Sequence, residues 1–172
     1  FSHVSVAQGS RLVYFAGQLA LDQQFGIIGG DDLGEQTKAA MQNIETLGGM
    51  EVTKIVTQCP HCFNTLKNEY PQYGGQYEVV HHSQLLTELL EDGRLSMEGA
   101  SLAERVTYHD SCHLKRKLAA EQSPRRLLRA AGHELREMAE SDACCGMGGS
   151  YSLRFPEISR PILDRKLGNA RG

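Results

Sequence analysis

Residues 52–90 read VTKIVTQCPHCFNTLKNEYPQYGGQYEVVHHSQLLTELL, and the order of signals within them decides the fold class. Residues 52–57 are rich in β-branched side chains and predict a strand. Cys59 opens a predicted helix over 59–70, with Pro60 suited to its first turn. Residues 77–80 predict a second strand. Ser83 is the expected N-cap of a helix that carries Leu85, Leu86, Leu89 and Leu90 and stops at Gly93. The alternation continues toward the C-terminus. Residues 105–109 predict a strand, and Ser123-Pro124 begins a helix ending at Gly132. Residues 134–138 predict a strand, 144–150 a glycine-rich loop, and 156–167 a last helix interrupted near Pro161. Toward the N-terminus, residues 11–16 predict a strand closed by Gly17, 26–34 a turn region, and 35–47 an amphipathic helix ended by Gly48-Gly49. Strand and helix alternating at this spacing predict an α/β fold: a mostly parallel sheet flanked by helices, with an N-terminal strand–helix unit.

The chain has 172 residues, enough for one domain or slightly more with a real core. Its 40% hydrophobic and 23% charged content is ordinary for a globular chain. No stretch approaches the roughly 18 apolar residues of a membrane span. A net charge of −3 argues against a general nucleic-acid binder. The chain opens at Phe1 without the basic and apolar segments of a signal peptide. Its odd count of five cysteines reads more naturally as metal ligands or redox thiols than as a disulfide framework. The expected location is therefore cytoplasmic.

The five cysteines fall in three places: Cys59-Pro60-His61-Cys62, then Cys112, then Cys144-Cys145-Gly146. Each follows a predicted strand directly or after a short loop. In an open parallel sheet such positions gather at the carboxyl edge, where ligands bind. Three chemistries use such thiols. An iron–sulfur cluster takes thiolate ligands, and a CxxC at a helix start sets two sulfurs to one side of a metal. Structural zinc would use Cys59, Cys62 and two further ligands, although the chain lacks a second CxxC or a paired-histidine motif. Thiol–disulfide exchange also uses a CPHC opening a helix, but Thr57-Gln58 replaces the aromatic residue usual before that motif.

Residues 54–86 (KIVTQCPHCFNTLKNEYPQYGGQYEVVHHSQLL), 106–116 (VTYHDSCHLKR) and 142–159 (DACCGMGGSYSLRFPEIS) resemble the cysteine-rich CCG domain. That domain occurs in heterodisulfide reductase subunits and in the iron–sulfur subunits of glycolate and lactate oxidation systems. The resemblance spans about residues 41–167. It implies a 4Fe-4S cluster, in some members a noncubane form, with Cys59, Cys62, Cys112, Cys144 and Cys145 as thiolate ligands. It also implies electron transfer beside a flavoprotein or another iron–sulfur subunit. Each repeat of the family runs from a Cys through a Cys-Cys-Gly to a CxxC. Here the closing CxxC precedes the opening Cys112 and Cys144-Cys145-Gly146, so the expected order is the end of one repeat followed by the start of the next.

Residues 12–47 (LVYFAGQLALDQQFGIIGGDDLGEQTKAAMQNIETL) resemble the start of the RidA/YjgF family of enamine and imine deaminases. The marks are AGQ after a strand, a glycine-rich turn and the helix EQTKAAMQNI. The similarity stops near Leu47, before that family's catalytic arginine, so this piece is expected to lack that activity. The expected organisation is a partial RidA-like segment over 1–49 and a truncated CCG-type domain over 50–172. A RidA-like deaminase and a zinc-stabilised structural module are the alternatives in function.

Other residues carry weaker expectations. His61, between two thiols, tunes them or faces solvent. His81-His82 is expected in a loop or capping role, with lining of the thiol edge as the second reading. His109-Asp110 orients a cluster or carries a proton. Gly146, Gly148 and Gly149 permit positive φ and close backbone approach. No P-loop is present, because no Lys-Ser/Thr follows them. Arg125, Arg126 and Arg129 are expected on a solvated helix face.

Overall fold

The computed structural model describes residues 4–7, 12–15, 24, 31–97, 104–148 and 151–171. The chain divides into two compact units, Phe1–Leu85 and Leu86–Gly172. Gly48 and Gly49 form the last residues of a helix, Leu33–Gly49, within the first unit. Gly17, Gly149 and the turn residues 26–30 lie outside the described residues.

In the first unit, β1 (Val4–Ala7), β2 (Leu12–Phe15), β3 (Lys54–Thr57) and β4 (Glu78–His81) form one sheet in that order. β1, which the sequence does not announce, pairs antiparallel with β2. β2, β3 and β4 run parallel, with Val13 opposite Ile55 and Ile55 opposite Val79. A parallel neighbour needs a crossover, and α1 (Leu33–Gly49) supplies it between β2 and β3. Asp32 caps α1 by accepting from the N–H groups of Gly34 and Glu35 at 2.8 and 3.2 Å. Ile55, Val56 and Thr57 are all fully buried, so β3 is covered on both faces. That is the pattern of a central parallel strand. Leu47, Val52, Phe63, Leu66 and Val79 complete this apolar core.

The helix expected over 59–70 is broken into three pieces. α2 (Pro60–Asn64) gives way to a π turn (Thr65–Glu69) and a 3-10 turn (Tyr70–Tyr73). Pro71 has no N–H to offer and its ring crowds the carbonyl four residues earlier, so the α ladder cannot continue through it. Gly74, at φ +88°, ends the segment. α3 (His82–Glu91) follows β4 without a linker and contains the boundary between the units. It begins one residue before Ser83, whose hydroxyl is turned to His81 rather than used as an N-cap.

In the second unit, β5 (Arg105–Val106) and β6 (Glu134–Leu135) are a parallel pair of only two residues each. These strands are shorter than those expected over 105–109 and 134–138; beyond them the Asp110 N–H donates to the Ser141 carbonyl at 3.1 Å. Among the described residues the pair is accompanied by α4 (Cys112–Arg116), α5 (Gln122–Ala130), α6 (Tyr151–Arg154) and α7 (Pro156–Arg171), beside the end of α3. α7 runs through Pro161 without interruption. Two of its side chains, Ser159 and Lys166, are buried and tied to the preceding loop on either side of the proline. The architecture is thus α/β, with two small sheets among the described residues.

Replacing Ile55, which is wholly buried at the centre of the first sheet, with alanine is expected to cost about 2–5 kcal/mol. Urea unfolding of the variant against the parent measures this.

Candidate iron–sulfur ligand set

In the first unit, Cys59 stands immediately beyond β3, with extended backbone (φ −85°, ψ 118°), and caps α2. Its Sγ accepts from the Cys62 N–H at 3.4 Å. Its own N–H donates to Thr57 Oγ1 at 3.3 Å, and its carbonyl accepts from the Phe63 N–H at 2.9 Å. The two thiols of the CxxC are therefore set by one turn of backbone, and both are half-buried.

The end of β4 holds that turn in place. His81 is buried, and its Nε2 lies 3.0 Å from the Gln58 carbonyl. A carbonyl only accepts, so Nε2 carries the proton and Nδ1 accepts from the Ser83 hydroxyl at 2.7 Å. Burial lowers the His81 pKa to about 4; neighbouring His82 adds to the shift and the Gln58 carbonyl opposes it. His82 stacks on His81 at 4.3 Å, and its pKa is lowered by burial against an opposing bond to the Thr57 backbone. The pair thus grips the Thr57–Gln58 peptide that delivers Cys59. Tyr70 joins the same edge. Burial raises its phenol pKa, a bond to Asn43 opposes this, and the nearby Cys62 thiol adds to it. His61 is exposed.

In the second unit, Cys112 opens α4, and Cys144-Cys145 lies in the loop after β6. Cys112 and Cys144 are exposed and Cys145 is half-buried. One ion-pair network joins the two thiol-bearing loops. The Asp110 carboxylate is 1% exposed and meets Arg125 through two parallel bonds, Nη1 to Oδ1 at 2.6 Å and Nη2 to Oδ2 at 2.9 Å. Ser141 Oγ donates to Asp110 Oδ2 at 2.6 Å, and the Asp110 N–H donates to the Ser141 carbonyl at 3.1 Å. Arg125 also grips Glu137 at 2.7 and 2.8 Å and donates to the Glu121 carbonyl at 2.9 Å. Burial alone would push Asp110 up, but Arg125, Ser141 and Lys115 hold its pKa down to about 2. Arg125 is raised by its bonds to Glu137 and Asp110. Arg125 is thus buried, against the expectation of a solvated face, while Arg126 and Arg129 are exposed. His109 is exposed, with Nδ1 donating to the Ser141 carbonyl at 3.2 Å. No sequence period marks Arg125 as special; only Asp110, beside a predicted strand end, hints at a buried partner.

Gly146 has φ +76°, and its N–H donates to Cys144 Sγ at 3.4 Å. A Cβ there would lie 2.7 Å from the Ser159 carbonyl oxygen. The close approach foreseen for this glycine is therefore made to α7. Gly148 has open space around it.

The donors suit an iron–sulfur group in kind. None of the five cysteines is in a disulfide, soft thiolates are the ligands iron–sulfur clusters take, and hydrogen bonds to sulfur tune such centres. Cys59 and Cys144 each accept a backbone N–H. The thiols are divided between the units, and among the described residues no three His, Cys, Asp or Glu side chains are gathered as a metal ion would need.

The sequence matches the cysteine-rich domain family (CCG) over residues 24–67 and 106–172. This chain belongs to that family. It is 43% identical over 111 residues to the EtfAB:quinone oxidoreductase of Syntrophomonas wolfei, covering 63% of this chain and 15% of that protein. It is 37% identical over 172 residues to a protein of Chromohalobacter salexigens named "Probable membrane-anchored ferredoxin", covering 88% of this chain and 26% of that protein. It is 31% identical over 138 residues to one subunit of the dihydromethanophenazine:CoB–CoM heterodisulfide reductase of Methanosarcina acetivorans, covering 76% of this chain and 34% of that protein. The chain therefore spans between 15% and 34% of the length of these relatives. No solved structure matches. The family and its iron–sulfur relatives support an iron–sulfur cluster as the cofactor. The cysteine-rich match begins at residue 24, inside the stretch that resembles RidA, and no comparison supports that second resemblance. Among the described residues, no helix is long and apolar enough to cross a membrane.

Two stability predictions follow from these networks. Arg125→Met strands the Asp110 carboxylate in the interior and is expected to cost about 3–5 kcal/mol. Adding Asp110→Asn should recover part of that loss, read by urea unfolding of both variants. For His81 the folded pKa lies below the unfolded value near 6.5. The unfolded chain therefore takes up a proton first, and stability falls as pH drops from about 6.5 to 4, by on the order of 3 kcal/mol. The slope of unfolding free energy against pH in that window should shrink in His81→Gln.

Proposed function

We propose that this domain carries an iron–sulfur cluster and relays electrons within a larger oxidoreductase of the heterodisulfide reductase-like or 2-hydroxy acid-oxidising kind. The observation that carries the reading is the placement of every cysteine. None of the five is in a disulfide, and each of the three groups stands beyond a strand of a parallel pair. We read the two matched segments as the close of one cysteine-rich repeat and the opening of the next. Cys59, Cys62, Cys112, Cys144 and Cys145 are the ligand candidates, and the cluster is of the 4Fe-4S type, with a noncubane form as the variant.

When bound, such a cluster supplies a one-electron donor and acceptor. The protein's part is to hold thiolates ready and to set their surroundings. The Cys62 and Gly146 N–H groups point at sulfur, the His81-His82 pair fixes the Cys59 turn, and the Asp110–Arg125 network fixes the loops before Cys112 and Cys144. The electron partner is a flavoprotein or another iron–sulfur subunit. The setting is the cytoplasm, where thiols stay reduced.

Iron and acid-labile sulfide per chain, measured after anaerobic purification beside the visible spectrum, test the reading. About four of each with broad absorption is the expected result. Cys112→Ser and Cys145→Ser should each lower the iron content, and Arg126→Gln should not. A colourless protein without iron or sulfide after reconstitution overturns the proposal.

A further inference from the structure

A recess of about 360 Å³ opens beside Cys144 in the second unit, with Arg116, Arg165, Lys166 and Glu140 around it. Three cations there face one carboxylate. Glu140 is already committed, since Arg165 forks onto its carboxylate and Asn169 donates to it at 3.0 Å. Arg116 and Lys166 are left with neutral acceptors. Lys166 is 6% exposed, and its ammonium donates to the Glu140 and Ser141 carbonyls at 2.7 and 2.8 Å. Arg116 Nη2 donates to the Asp142 carbonyl at 2.8 Å. The Asp142 carboxylate is paired with Lys115 at 3.6 Å. Carbonyl partners satisfy N–H groups but cancel no charge. Among the described residues neither Arg116 nor Lys166 forms an ion pair.

A buried ammonium whose one nearby carboxylate, Glu140, is already forked by Arg165 favours a further anion in open space beside it. The space here is open and ends at a free thiol. The exposed Arg116 guanidinium and the buried Lys166 ammonium in its lining are the kinds of charge-assisted donor that an oxyanion takes. We infer that this recess is an oxyanion-binding subsite, holding a carboxylate-, sulfonate- or phosphate-type group beside Cys144. It goes beyond the electron-transfer reading and does not rest on it, because none of the three cations is a thiol ligand.

The test uses the full chain, both iron-free and iron-loaded, titrated with sodium sulfate at an ionic strength held constant with chloride and followed by calorimetry. Saturable binding in the millimolar range is expected. Arg116→Gln should weaken it by about tenfold, the scale of one charge-assisted hydrogen bond. Arg126→Gln, an exposed cation that does not line the recess, should leave it unchanged. Arg116 is exposed, so its variant does not depend on refolding a buried site. A second arm compares alkylation of Cys144 in the iron-free chain by anionic iodoacetate and neutral iodoacetamide, read by mass spectrometry. Thiol reactivity cancels in the ratio of the two rates. A ratio above that of Cys112, lost on adding sulfate, assigns the subsite to the acid group of an organic molecule. Saturable sulfate binding without that preference assigns it to a free inorganic anion. No saturable binding, or equal weakening by Arg116→Gln and Arg126→Gln, overturns the inference whatever the iron content.

Discussion

The second unit is organised around the contact between Asp110 and Arg125. Among its described residues the buried hydrophobic side chains are Leu114 and Ala120, while Thr87, Asp110, Arg125, Ser159 and Lys166 are buried and polar. So small an apolar set cannot hold several short helices and a two-residue strand pair in one arrangement. The two forks of Arg125, onto Asp110 and onto Glu137, add directional contacts that apolar packing lacks. A buried ion pair is weak evidence of net stability, since charges give up hydration that an apolar pair would not. Its strength lies in geometry. Asp110 is two residues before Cys112, and Ser141, which donates to the same carboxylate, is three residues before Cys144. Satisfying one carboxylate therefore fixes the approach of both thiol-bearing segments.

The first unit meets the same demand by other means. There the sheet is buried on both faces at β3, and apolar packing holds the strands. What remains to be fixed is the turn at the carboxyl end, where backbone leaves the sheet. The His81-His82 pair closes that gap by capping carbonyls of the turn from the neighbouring strand. Neutral imidazole suits the task. It can donate from one nitrogen and accept at the other without bringing charge beside two thiols. Each unit thus places sulfur at a strand end, one by packing plus imidazole, the other by a buried ion pair.

These differences explain what could be read from the sequence. The strand–helix order of the first unit was legible because it rests on hydrophobic period, and β3, β4 and α1 lie where that period puts them. The five thiols were legible as a set because CxxC and Cys-Cys-Gly are local motifs. Arg125 was not legible. A helix surface of arginines reads as solvated, and its burial depends on Asp110 and Glu137, which arrive from other loops. The shortness of β5 and β6 was hidden as well, since β-branched and apolar residues continue past each strand end. The break in the helix after Cys62 was in the sequence, at Pro71, and the apolar pattern on either side masked it.

Gly146 shows how tightly thiol placement and fold are joined in the second unit. Its N–H is spent on Cys144 Sγ, and its carbonyl accepts from the buried Ser159 hydroxyl at 2.6 Å. Its left-handed backbone carries it between those two partners, and α7 leaves no room for a side chain there. A residue with a Cβ would have to push α7 away or give up the left-handed turn. Moving α7 would also pull Lys166 from the Glu140 and Ser141 carbonyls, and Ser141 is the residue that meets Asp110. The glycine of the Cys-Cys-Gly motif therefore does more than make space near sulfur. Through α7 and Ser141 it reaches the same carboxylate that stands two residues before Cys112, so the segments carrying Cys112 and Cys144 answer to one connected set of hydrogen bonds.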